Sequence, residues 1–224
     1  MKTEYLLFNL VIILGPLALS FDRKVHFVTK WPKAFIASLI TLIPFIMWDS
    51  LVTGRHWWFN KNFTLDFRLL GLPLEEWLFF ITVPFATMFI WQILNDYMRN
   101  RSAPRRWLYT LLYLFTLPGI FFWLQGKEYT ALVSIALVLV AIFDRVLETH
   151  ILERRQLYPF LGILVGLILI FNGYLTARPV VLYDPAFQLD FRIITIPIED
   201  FFYGISHVLL SVIIYEKLLG IDHE

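Results

Sequence analysis

Seven stretches of the chain are almost continuously apolar: roughly residues 4–21, 34–52, 74–96, 107–124, 130–147, 157–175 and 198–218. About 20 such residues cross the hydrocarbon core of a bilayer as a helix. The pattern therefore predicts an all-α, polytopic membrane protein with seven transmembrane helices. Pro32, Pro73 and Pro197 fall at or just before helix starts, where a missing N–H costs little. Pro16, Pro44, Pro84 and Pro118 fall inside spans, where neighbouring helices can tolerate them. The first span has a signal-peptide-like end, with Ala18-Leu19-Ser20 at cleavage-like spacing. The repeat described next predicts that this helix is retained.

The polar residues between the spans carry an internal repeat. Residues 63–80 read FTLDFRLLGLPLEEWLFF and residues 187–204 read FQLDFRIITIPIEDFFYG. At a constant offset of 124, seven of eighteen positions are identical: Phe63, Leu65, Asp66, Phe67, Arg68, Pro73 and Glu75. Phe21-Asp22-Arg23 resembles Phe143-Asp144-Arg145 at nearly the same offset. Helices 1–3 thus correspond to helices 5–7. A three-helix unit ends on the side opposite its start, so a direct fusion would invert the second copy. The extra fourth helix restores its orientation. The expected organisation is a first repeat at 1–98, a linker with the fourth helix at 99–127 and a second, parallel repeat at 128–224.

Composition agrees with lipid as the solvent: 58% of residues are hydrophobic and the mean hydropathy is +0.67. A net charge of about +1 offers nothing to nucleic acid. With no cysteine, disulfides, thiolate nucleophiles and iron–sulfur ligation are excluded. Aromatic residues, 18% of the chain, belong in part to interfacial belts. Lys2, Arg55, Lys61, Arg68, Lys127, Arg178 and Arg192 fall on one side of the predicted topology. The other side holds Arg23, Lys24, Lys30, Lys33, Arg99, Arg101, Arg105, Arg106, Arg145, Arg154, Arg155 and Lys217. The basic excess predicts a multi-pass cell-membrane protein with its N-terminus outside and its C-terminus in the cytoplasm. Both acidic motifs then sit toward the outer face.

Those motifs are the candidate chemistry. Pro73-Leu74-Glu75-Glu76 and Pro197-Ile198-Glu199-Asp200 each open an apolar helix. The helix dipole and free N–H groups favour a carboxylate there, while desolvation and mutual repulsion favour holding a proton. A general acid beside a general base is the expected result. Adjacent helical residues point about 100° apart, so the two acids of a pair cannot face one cavity equally. One carboxyl from each repeat could meet in a cleft between helices 3 and 7. A cap at the membrane surface would explain a single such acid. Two identical registers point to function, as ionisable groups at membrane depth do by default.

Asp49 is a candidate third carboxyl. Asn172, aligned with Trp48, is placed to hydrogen-bond within the bundle. His207 lies two turns beyond Asp200 on nearly the same face and has Val83 as its repeat partner. Its reading is a hydrogen-bonded bundle histidine or a base. Asp66 with Arg68, and Asp190 with Arg192, read as charges ordering the loops before each motif. No dinucleotide fingerprint, P-loop or H-E-x-x-H spacing occurs. Neither a metal nor a cofactor is expected. A retinal Schiff base would need a mid-membrane lysine in the last helix, but Lys217 stands at that helix's end.

The tandem unit, with PLEEWLFF, PIEDFFYG, WDSLVTG (48–54) and NGYLTARPVVLYD (172–184), resembles the integral-membrane lycopene cyclase family over essentially residues 1–220. That resemblance implies a non-redox isomerisation. A ψ end group of lycopene is protonated, an internal double bond attacks the carbocation, and loss of a ring proton gives a β-ionone ring. The product would be β-carotene via γ-carotene. By motif position, Glu75 and Glu199 correspond to the family's leading acids, with Glu76 and Asp200 beside them, and one of the four is the expected proton donor. Trp77, Phe80, Phe201 and Tyr203 are candidates to stabilise the cation or line the substrate. The implied partners are a carotenoid substrate, membrane lipid and other carotenoid-pathway enzymes. Two departures stand out: Asp at 200 shortens that carboxyl's reach, and Tyr203-Gly204 replaces Phe79-Phe80. The competing readings are a proton-coupled transporter and a non-catalytic carotenoid-binding subunit. Parallel repeats and acids near one interface fit the transporter poorly.

Overall fold

A computed structural model describes residues 2–98 and 106–220. Arg99, Arg101, Arg105 and His223 lie outside the described residues. Among the described residues, six helical stretches are long and apolar enough to cross a membrane: 27–52, 74–97, 107–124, 128–146, 157–177 and 198–220. A shorter apolar helix, α1 (Glu4–Leu19), precedes them. The protein is an all-α, polytopic membrane protein of two parallel three-helix repeats.

In the first repeat, α1 is followed by α2 (Trp31–Val52) and α3 (Leu74–Tyr97). Between α2 and α3 lie strand β1 (Trp57–Phe59) and a tight hairpin, β2 (Arg68–Leu69) with β3 (Leu72–Pro73). The linker forms α4 (Arg106–Leu114) and α5 (Thr116–Leu124) rather than one continuous helix. Pro118 explains the break: its ring conflicts with the carbonyl of residue i−4, which is Leu114, the last residue of α4. In the second repeat, α6 (Glu128–Val146) and α7 (Leu157–Leu167) are followed by a π-helical turn (Ile168–Asn172) and the short α8 (Gly173–Ala177). Strand β4 (Val181–Tyr183), hairpin β5 (Arg192–Ile193) with β6 (Ile196–Pro197), and α9 (Ile198–Gly220) complete the chain.

The repeat extends to the hairpin register. Arg68 pairs with Pro73 and Leu69 with Leu72; Arg192 pairs with Pro197 and Ile193 with Ile196, each register shifted by 124. The hairpin corner puts Leu70 (φ 52°) and Ile194 (φ 60°) in the left-handed region, which branched and bulky side chains avoid. Gly71 (φ 80°) completes the first corner without a Cβ conflict. His26 (φ 43°) and His150 (φ 50°) occupy the same strained position before a 3-10 turn in each half. The prolines ending β3 and β6 hold the chain extended up to the first residue of α3 and α9. Pro73 has φ −66° and ψ 151°.

Helices α2, α3, α7 and α9 form the main apolar core, with Phe80, Met88, Trp91, Phe160, Val212 and Tyr215 fully buried. A polar contact also crosses it, between Thr41 and Ser211 hydroxyls 2.9 Å apart. β1 pairs antiparallel with β4, Trp57 opposite Tyr183 and Phe59 opposite Val181. This two-stranded ribbon ties one repeat to the other above the end of the bundle where both acidic motifs lie.

Candidate active site

The ribbon closes a cavity of about 320 Å³. Its helical walls follow the 3.6-residue period. α3 presents Glu76, Phe79, Val83, Ala86, Thr87 and Ile90; α9 presents Asp200, Tyr203, Gly204, His207 and Val208. α1 adds Tyr5, Ile12 and Pro16, α2 adds Asp49, and α6 adds Tyr129. The α7 segment contributes Leu164, Leu167, Ile168, Phe171 and Asn172, and the ribbon roofs the cavity with Trp57, Phe59, Val181 and Tyr183. The space is therefore broader than a cleft between the third and seventh spans. Among the described residues, no lysine or arginine lines it.

Three carboxyls face this apolar space: Asp49, Glu76 and Asp200, all buried. Asp200 is saturated with donors. Tyr129 Oη donates to Oδ1 at 2.7 Å, Tyr183 Oη to Oδ2 at 2.7 Å and Asn172 Nδ2 to Oδ2 at 2.8 Å. Both oxygens of this carboxyl are thus engaged as acceptors. Glu76 takes one donor, Tyr5 Oη, at 2.7 Å on Oε2, and Asp49 takes Tyr203 Oη at 2.8 Å. The carboxyls of Asp49 and Glu76 lie near each other on the cavity wall.

The leading acids are placed differently. Glu75 Oε1 accepts the Leu65 backbone N–H at 2.7 Å, and Glu199 Oε1 accepts the Leu189 N–H at 2.7 Å and the Thr130 hydroxyl at 2.6 Å. Both are fully buried, both leave Oε2 without a partner, and neither lines the cavity. The 100° step per helical residue separates the roles: one acid of each pair grips the loop before its helix, and its neighbour faces the cavity.

Of the candidate lining residues, Tyr203, Asn172, Asp49 and His207 are on the wall. Trp77, Phe80 and Phe201 are not, which corrects that expectation. They lie off the wall-facing stripes of α3 and α9. Trp77 instead donates its indole N–H to the Leu69 carbonyl at 3.2 Å, and Phe80 is buried against Phe45 and His207. His207 packs its ring 4.5 Å from Phe45, and its Nε2 has no hydrogen-bond partner, unlike the bonded bundle histidine expected. Asp66 and Arg68 order the loop as expected, but with other partners. Asp66 pairs with Lys2 at 2.6 Å, and Arg68 donates to Thr64 Oγ1 at 2.7 Å and to the Leu65 carbonyl.

Of the tyrosines on the acids, Tyr203 was singled out in the sequence, but Tyr5, Tyr129 and Tyr183 were not. For two of them a signal existed: Tyr5 and Tyr129 stand at the same repeat position and donate to Glu76 and Asp200, which also correspond. Tyr183 offered no such signal, because its counterpart is Phe59.

Comparison with known proteins agrees with this architecture. The bifunctional lycopene cyclase/phytoene synthase of Aspergillus oryzae (strain ATCC 42149 / RIB 40) is 33% identical over 87 residues, which are 38% of this chain and 13% of that relative. The chain thus spans a small part of that relative's length. No solved structure matches. The family model described as lycopene cyclase matches residues 2–94 and again residues 126–218, one match per repeat, so the chain belongs to the lycopene cyclase family.

Proposed function

We propose that the protein is a lycopene cyclase that closes the acyclic end groups of lycopene by acid–base chemistry. The observation that carries this reading is the meeting of three buried carboxyls, unpaired with any lysine or arginine, in one apolar cavity within a membrane bundle. A hydrocarbon substrate offers no polar handle. Its reactive feature is a carbon–carbon double bond, and the reagent it needs is a proton delivered where water is scarce.

In this mechanism the Asp49–Glu76 pair holds the proton and delivers it to the terminal double bond. The tertiary cation is attacked by an internal double bond, forming the ring bond and moving the charge to a ring carbon. Loss of a ring proton restores a double bond, giving a β-ionone ring. That proton returns to the pair, so composition and redox state are unchanged. Asp200, held by Tyr129, Tyr183 and Asn172, stays ionised and stabilises the moving charge, as preorganised electrostatics does in other enzymes. The rings of Tyr203 and Tyr129 add cation–π attraction of about 0.5–2 kcal/mol each. Glu75 and Glu199 set the loop and helix geometry. The distribution of basic residues supports an N-terminus outside and a C-terminus in the cytoplasm, with the site toward the outer face.

The test is expression in a lycopene-accumulating bacterium, with pigments separated by chromatography. Cyclised product is expected. Unchanged lycopene, with folded protein in the membrane, rejects the reading.

A further inference from the structure

The cavity is much longer than an end group. Along α3 its wall runs from Glu76 to Ile90, fourteen residues, or about 21 Å at 1.5 Å per residue. Most of its polar side chains are crowded at one end: Asp49, Glu76, Asp200, Asn172 and four tyrosines lie next to the ribbon. Farther along, Ile12, Val83, Ile90, Leu164, Leu167 and Val208 make a wall that is apolar apart from His207. The one hydroxyl on that part of α3, Thr87, is turned onto its own helix and donates to the Val83 and Pro84 carbonyls at 2.9 and 3.0 Å. The wall there offers a ligand apolar surface. On the α7 side the π-helical turn at Ile168–Asn172 adds backbone width, and Gly204 opposite leaves room for Ile168, whose Cδ1 would be 3.3 Å from an added Cβ.

We infer that this apolar groove is the binding subsite for the unreacted remainder of the substrate, a linear polyene chain lying lengthwise between α3 and α7 while one end group sits at the acids. The inference rests on the cyclase reading. It follows from continuity: the groove opens from the acid end, has the section and lining of a hydrocarbon site, and runs with the helices across the bilayer. Acids occur at one end only, so the two ends of a symmetric substrate react in separate binding events, with release and reversal between them.

The experiment narrows the far half of the groove with Ile90→Trp and Leu164→Trp in the full chain. Each is assayed on lycopene and on a half-length apo-lycopene aldehyde bearing the same end group. Conversion of lycopene is expected to fall by about tenfold or more while the short substrate is still cyclised near the unsubstituted rate. Unimpaired lycopene conversion, or equal loss with both substrates, overturns the inference. A second measurement does not depend on turnover: benzoylphenylalanine placed at Ile90 is photoactivated with lycopene bound, against the same group at Ile43, which is 59% exposed on α2. Capture of lycopene at Ile90 and not at Ile43 supports the groove; no capture at Ile90, or equal capture at both, overturns it. If the unsubstituted protein cyclises neither substrate, the cyclase reading fails, and the photo-capture result then decides the groove on its own.

Discussion

The two repeats share a scaffold but surround the second acid of each motif with different partners. Each offers a tyrosine from its first helix to the second acid of its motif, Tyr5 to Glu76 and Tyr129 to Asp200, both at 2.7 Å. Each anchors its first acid to a loop N–H, again at 2.7 Å. The halves diverge around the second acid. Asp200 gains Asn172 and Tyr183, where the first repeat has Trp48 and Phe59, neither of which bonds Glu76. Glu76 instead meets Asp49, whose counterpart is Gly173. A few substitutions on a duplicated frame thus give two corresponding carboxyls different surroundings: three donors on Asp200, and one donor with a second carboxyl nearby for Glu76. In the proposed mechanism this difference lets one frame serve acid and charge-stabilising roles.

The strongest way to break this comparison is to neutralise each half separately. Glu76→Gln removes the proton-carrying carboxyl and is expected to lower cyclisation by about 10²–10⁴-fold, the usual worth of a general acid. Asp200→Asn is expected to cost about 10²–10³-fold through lost charge stabilisation. Both are read as product per folded protein. Equal, small effects would mean the halves are not specialised.

Asp49→Asn tests the pairing. In the proposed mechanism Asp49 shares the proton with Glu76, and its loss is expected to lower turnover by about tenfold, roughly 1.4 kcal/mol in the barrier. The shape of the pH–rate profile should change as well. A residue that served packing alone would lower the rate and leave the profile's shape intact.

Glu75→Ala and Glu199→Ala address the similar parts of the two halves. Each leaves a loop N–H, of Leu65 or Leu189, without its acceptor, at a cost of about 1–3 kcal/mol. Thermal unfolding in detergent should show similar losses for both, with less effect on turnover by the protein that remains folded. A selective collapse of turnover at unchanged stability would move these acids into the chemistry.

The smallest effect concerns the ribbon joining the halves. His56, beside β1, stacks 4.6 Å from Phe187, and its Nε2 lies 3.0 Å from Glu128. Burial holds its imidazole below the ordinary value of 6.5, outweighing the opposite pull of Glu128. The unfolded chain therefore binds this proton at higher pH than the folded one. The contribution to stability is intact above about pH 6.5 and is lost as pH falls through the folded value. Unfolding midpoints measured from pH 7.5 to 5.5 should decline, and His56→Gln should flatten that decline.

Much of this was legible in one dimension. Long apolar runs have few alternatives to spanning helices, because an unpaired backbone in lipid is prohibitive. The observed spans accordingly begin and end close to the predicted ones. The 124-residue offset marked both acid pairs, their loops and the parallel arrangement. The break at Phe115 was readable in retrospect from Pro118, because the steric conflict is local.

The division of labour within each acid pair was decided only by tertiary structure. The helical step made it certain that the acids of a pair face differently, but not which of them faces the cavity. That depended on the hairpins carrying Leu65 and Leu189 back onto Glu75 and Glu199. Asp49 comes near Glu76 from a different helix, and Tyr183 reaches Asp200 only because β4 pairs with β1. Sequence periodicity reports which face of an element is buried. Which buried polar group meets which partner depends on how separate elements dock, and in this protein that docking determines which carboxyls share the cavity.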